Sequence, residues 1–316
     1  MLVQHAHRPN GATRIQELKG PSPLRLTILL LAALARIARG DETPAVPPPP
    51  DKWQYTLFDP VPDTQLRDMD TDRPNVTNTP HTIDAGHWQL ETGFLDYAHY
   101  STDSAGESVR SDEFDFGQFN LRLGILNNLE FNLAVEAYDT ERDQDFSNHE
   151  TSRTSGFGDT VVGGKLNLWG DDGGDEAGST ALAIQPQFKF PTAQSGIGNG
   201  RFEASVGVPF LANLPDGFHL GIQAALSQER TTANTGYVAG FPASVSVDRV
   251  VFANLDIYLE YASNLSSERH AGVPQTLDVG GTYPLTKNVV LDAGVNLGLN
   301  HASSNIEALA GISFRH

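Results

Sequence analysis

From Gly86 onward the chain alternates apolar and polar residues in run after run of about 9–12 residues. A period of two belongs to a β-strand, whose successive side chains point to opposite faces. The clearest run is Asn288 to Leu299. Val289, Leu291, Ala293, Val295, Leu297 and Leu299 share one face, and Asp292, Gly294, Asn296 and Gly298 share the other. Leu129 to Ala137, Thr180 to Phe190, Arg201 to Phe210, Phe218 to Leu226 and Val251 to Tyr261 repeat the pattern. Weaker runs fill the gaps at His87 to Tyr97, Phe116 to Ile125, Thr160 to Trp169, Tyr237 to Val247, Gln275 to Tyr283 and Asn305 to Phe314. The sum is about 12 strands, an even number as a single-chain bacterial membrane barrel requires.

Alternation alone also fits a soluble sandwich or propeller. Three features favour an antiparallel transmembrane β-barrel over residues 86–316. The runs have the length a tilted strand needs to cross a bilayer, whereas globular strands average about 5–6 residues. Connections alternate in length. Asn127-Asn128, Pro215-Asp216-Gly217, Val247-Asp248 and Thr286-Lys287-Asn288 read as tight turns. Asp139 to Gly156, Pro191 to Gly200, Ser227 to Gly236 and Ala262 to Gly272 read as long polar loops. Gly170 to Gly178 is long for the short-turn side. Finally, the polar face carries full charges, which suits a watery lumen. Only 39% of residues are apolar, and a barrel tolerates this because only alternate residues must face lipid.

The region before the barrel has a different character. Leu26 to Ala35 is an apolar stretch preceded by Arg14, Lys19 and Arg25 and followed by Ala38-Arg39-Gly40. It is too short to span a bilayer as a helix and reads as a signal peptide within a leader over residues 1–40. Residues 41–85 read as a linker, lying in the periplasm or against the barrel mouth. It opens with the disordered proline run Pro44 to Pro50 and continues as a polar, aperiodic stretch with Trp53, Tyr55 and Phe58. The net charge of −18 argues against a nucleic-acid partner, which needs clustered Lys and Arg. Cysteine is absent, so disulfides, thiol nucleophiles and cysteine metal sites are excluded.

Three stretches carry a family likeness: Asp72 to Gly93 (DRPNVTNTPHTIDAGHWQLETG), Gly156 to Leu168 (GFGDTVVGGKLNL) and Leu291 to His316. In order and spacing they resemble the outer-membrane proteins named for the meta-pathway of phenol degradation. The resemblance covers about Asp72 to the C-terminus. It implies an outer-membrane barrel of transporter type, with small aromatic or hydrophobic solutes as cargo. Its partners would be outer-membrane lipid, those solutes and the barrel-assembly machinery. One departure bears on assembly: such barrels usually end on an aromatic residue, whereas this chain ends Phe314-Arg315-His316.

If alternate residues face the lumen, Arg122, Lys165, Lys189 and Arg201 supply its positive charge. Glu91, Glu130, Glu136, Glu203, Asp256, Glu260 and Asp292 supply its negative charge. Such groups set ion preference in a pore, or form a solvated network that props the barrel open. A barrel of about 12 strands is narrow and can be filled. Asp139, Glu141, Asp143 and Asp145, and again Asp171, Asp172, Asp175 and Glu176, offer oxygen ligands. Neither group has an EF-hand spacing, and solvated loop charge is the simpler reading, so no metal site or cofactor is expected. Gly196 to Gly200 precedes a strand, not a helix, so it is no phosphate loop. No G-x-S-x-G elbow exists, and the chain does not read as an enzyme. Three functions stay open: a channel, a non-conducting structural or adhesion barrel, and an outer-membrane hydrolase using His219.

Overall fold

The computed structural model describes residues 51–316 apart from 105, 106, 173, 175 and 253. The expected signal peptide and the proline run lie outside the described residues. Thirteen strands form one antiparallel sheet: β1 (Trp88–Ser104), β2 (Glu107–Leu126), β3 (Leu129–Asp145), β4 (Glu150–Gly156), β5 (Thr160–Trp169), β6 (Thr180–Phe190), β7 (Glu203–Asn213), β8 (Phe218–Arg230), β9 (Tyr237–Phe252), β10 (Leu255–Ser266), β11 (Gln275–Thr286), β12 (Val289–Gly298) and β13 (Ile306–Arg315). β4 and β5 pair with the upper and lower halves of β3 and make one interrupted stave. The barrel therefore has 12 staves (13 strands, two of them in line). Each stave pairs with its sequence neighbour, and β1 pairs with β13 to close the circle.

The period-two pattern explains the two surfaces. In β10, Ile257 and Leu259 point outward and stay exposed, while Tyr258 and Glu260 between them are buried. The ten residues of β12, at about 3.4 Å each and a tilt of about 45°, rise about 24 Å, the height of an apolar membrane band. Outward aromatics mark its edges. Tyr97, Phe114, Phe116 and Tyr138 form a row with ring centroids 4.7, 6.5 and 6.4 Å apart. Trp88 and Trp169 lie at the turn end, half-exposed.

Above that aromatic row β1–β4 continue as a tall wall. Gly117, at φ 69°, marks where the pleat inverts. The inward set of β2 changes there from Gln118 and Arg122 to Asp115, Glu113 and Ser111, and that of β3 from Glu136 to Asp139. Two expectations are corrected here. Asp139 to Gly156 is mostly strand, because polar residues occupy both of its faces and leave no apolar period to read. Val247-Asp248 lies inside β9, and the turn comes at Asn254, φ 68°. Asp248 is polar because it faces the lumen.

The segment before β1 is not outside the barrel. Residues 51–87 bond to inward side chains of β1, β2, β3, β5, β6, β8, β9, β10, β12 and β13. A segment reached by inward groups from all round the barrel occupies its interior. We call its stretch Asp70–Thr82 the strap.

Candidate functional site

The lumen is the site, and four contacts hold the strap and the residues flanking it across the lumen. The first is a buried charge cluster. Strand register sets Glu130 of β3 opposite Lys165 of β5, with Arg122 of β2 beside them. Arg122 forks onto Glu130 (Nε and Nη2, both 3.0 Å) and reaches Glu91 of β1 at 3.1 Å. Lys165 lies 3.6 Å from Glu130 and 2.9 Å from Asp72 of the strap. All five side chains are buried. Such a cluster gains over hydration only through close geometry and full hydrogen bonding, so removing one member leaves the others uncompensated. Burial pushes the Asp72 carboxyl up, but Arg122 and Lys165 overrule it and hold it below the usual range.

The second contact is Arg73. Its guanidinium lies 3.3 Å from Asp292 of β12 and 3.5 Å from Asp96 of β1. It enters over Gly93 and Gly311, where a Cβ would come within 3.0 and 2.9 Å of it. Third, the amides of Val76 and Thr77 each donate to Glu260 of β10 at 2.7 Å, and the Thr77 hydroxyl donates at 2.5 Å. Asn78 joins Gln223 of β8 and Gln185 of β6. The fourth contact is the base. Arg67 donates to Asn127 and Asp172 and lies 3.5 Å from Asp171, while Lys52 pairs with Asp84 at 3.0 Å. The long turn Gly170 to Gly178 thus carries the base of the plug.

The strap divides the lumen. On the loop side lies a cavity of about 710 Å³, with Val76 of the strap at its floor and Lys189, Glu203, Ser227 and Arg230 on its walls. On the turn side lies one of about 960 Å³, lined by strap and wall together. Within the strap, His81 Nδ1 lies 2.8 Å from Asp70. Burial raises the Asp70 carboxyl, but the hydrogen bond and charge of His81 bring it down to about 2. Burial lowers the His81 imidazole, and Asp70 outweighs that and raises it.

The residues picked from sequence fall into groups. Glu91, Arg122, Glu130 and Lys165 converge. Glu260 and Asp292 each hold the strap singly. Lys189 and Glu203 pair at 2.8 Å beside the loop-side cavity, with Asp159 3.2 Å from Lys189. Glu136 is buried beside Gly158, and Asp256 lies on the turn-side cavity. Arg201 is a correction: it is exposed in the connection before β7, which starts at Glu203. Sequence reasoning missed Asp72, Arg73, Thr77 and Asn78, because they have no periodicity of their own. Among the described residues, two groups bring three cation-ligating atoms within 4.8 Å of one another: Glu113, Asp115 and Asp139, and His219, Asp248 and Asp256.

The family model described as "Putative MetA-pathway of phenol degradation" matches residues 71–316. No curated protein matches. The translocator domain of autotransporter NalP from Neisseria meningitidis is similar in structure at 8% identity and TM-score 0.46, over 72% of this chain and 88% of that one. The transport unit of autotransporter AIDA-I from Escherichia coli is similar at 14% and 0.48, over 78% and 92%. The CymD monoaromatic hydrocarbon channel is similar at 10% and 0.40, over 72% and 87%.

Proposed function

This chain belongs to the family of the MetA-pathway of phenol degradation, and from that premise we propose that it is an outer-membrane channel for small aromatic or hydrophobic solutes. Its place is the outer membrane of a Gram-negative-type bacterium, where the apolar outer face meets lipid and the charged inner face meets water. The observation that carries the reading is the divided lumen. Two cavities of about 710 and 960 Å³ lie on either side of one chain segment, so moving that segment joins them into a path. The family's name supplies the solute class. The loop-side cavity agrees with it, since apolar Val76 and Ile197 share its walls with Lys189 and Arg230. On this reading the protein is not an enzyme.

The test is uptake of a labelled phenolic acid by cells that express the protein, together with single-channel recording of purified protein in planar bilayers. Faster uptake and discrete current steps are expected. Equal uptake with and without the protein, and no current at any voltage, would overturn the proposal. A second reading follows from the strap itself, which crosses the lumen on buried ion pairs: a closed structural barrel. Continued silence after Arg73→Gln removes one of the strap's holds, the contact with Asp292 and Asp96, would favour that reading.

A further inference from the structure

The turn-side cavity has a feature that plays no part in holding the strap. His219, Asp248 and Asp256 reach it from three successive strands, β8, β9 and β10. Register puts them together. His219 pairs directly with Asp248, while Asp256 pairs with Val250 and lies diagonally across from Asp248. The residues alternating with them, Phe218, Val247 and Ile257, face outward and are exposed. All three side chains are therefore aimed inward by rigid staves, a better basis for a site than a loop.

The charges do not balance. Glu91, Glu130, Asp292 and Glu203 each face a Lys or Arg. Among the described residues, no Lys or Arg forms an ion pair with Asp248 or Asp256. Arg249 lies with its guanidinium over the outward ring of Phe218, at 4.8 Å. What joins Asp248 is the His219 imidazole, with Nδ1 2.7 Å from Oδ2. A second observation points the same way. The Oδ1 of Asp256 is shut off from solvent and receives no hydrogen bond. A buried carboxylate oxygen without a partner is costly. His219 and Asp248 keep about a fifth of their surface open to the cavity (22% and 23%), so an ion has a way in.

We propose that His219, Asp248 and Asp256 form a binding site for a divalent transition cation of the Zn²⁺ class at the turn-side mouth of the lumen. One imidazole nitrogen and two carboxylate oxygens within 4.8 Å of one another make three of the four ligands zinc prefers. A small side-chain rotation brings them to bonds of about 2.0–2.2 Å, and cavity water supplies the fourth. The nitrogen ligand selects against Ca²⁺ and Mg²⁺, which take oxygen shells. The ion would neutralise the facing carboxylates and tie three adjacent staves together at the end of the barrel where the strap is anchored.

The experiment uses full-length, tag-free protein in zwitterionic detergent, stripped with chelator and titrated calorimetrically with ZnCl₂, MgCl₂ and CaCl₂. One Zn²⁺ per chain is expected, with no heat from Mg²⁺ or Ca²⁺, and zinc should raise the thermal midpoint. Asp256→Asn and His219→Gln should each weaken zinc by more than about tenfold, while Asp115→Asn in the other acidic group leaves it unchanged. Heat-dependent gel mobility checks that each variant is folded. If neither folds, X-ray absorption of the zinc-loaded wild type decides, with one imidazole in the shell upholding the site and two or more overturning it. No saturable zinc binding, unchanged affinity in both folded variants, or equal binding of Ca²⁺ would each overturn it.

Discussion

The two halves of the lumen solve the same electrostatic problem in opposite ways. At the level of the strap, inward acids of β1, β3 and β12 meet Arg122, Lys165 and Arg73 in dry, mutually bonded clusters. Above it, Lys189, Glu203 and Arg230 line an open cavity, and Lys189 and Glu203 pair with part of their surface exposed. Charge buried with a partner locks a structure, because either member alone is penalised. Charge left beside water tunes a path without holding it shut. The lower half is built to hold and the upper half to receive.

The sharpest way to break this contrast is Arg122→Ala. It strips Glu91, Glu130 and Asp72 of their shared cation and should cost about 3–5 kcal/mol, read as a lower denaturant midpoint in detergent. A midpoint within experimental scatter of wild type would sink the idea that the cluster locks the lower half. Arg73→Gln comes next. It frees the strap from Asp292 and Asp96 while the Glu260 contacts remain, at a cost of about 1–3 kcal/mol for the lost charged hydrogen bonds. It should also give current steps more often than wild type in planar bilayers.

A third test varies pH. The His81 imidazole is raised above its ordinary 6.5, so its contribution is complete below about that pH and fades as pH climbs through the raised value. The Asp70 carboxyl is lowered from 3.8 to about 2, so its contribution is complete above its ordinary value and fades as pH falls through about 2. The strap is therefore held best between about pH 4 and 6.5. Protease cleavage within residues 70–82 should rise from pH 6 to pH 9, and His81→Phe should flatten that rise. The smallest effect belongs to the upper half. Glu203→Gln, in a partly wet pair, should cost about 0–1 kcal/mol and appear mainly as a shift in ion selectivity towards anions.

The barrel was legible because its code is local. Each of the twelve alternating runs overlaps an observed stave, since lipid on one side and water on the other impose the period directly. Edges were harder. Asp139 to Asp145 are strand through hydrogen bonds to β2, with polar residues on both faces. Asp248 looked like a turn residue, although its polarity serves the cavity. Asp72 to Asn78 left no pattern, because the groups that order them (Glu91, Lys165, Gln223, Glu260) are scattered along the following 190 residues or so. One clue was present: Arg122 and Lys165, predicted to point into a narrow lumen, needed anionic partners. Nothing in the alternation reveals that one of those partners, Asp72, precedes the barrel.

The place of the strap in the chain also sets a schedule. It is made before any stave, while the seam between β1 and β13 joins the first strand to the last. Ladder pairing between neighbours closes short loops, whereas that seam closes the longest one and is the natural final step. A wall that closes around a strap already in place lets Arg122 and Lys165 meet Asp72 without threading it through a finished barrel. A strap left outside at the moment of closure would have to enter through a mouth and carry Arg73 down to Asp96 and Asp292.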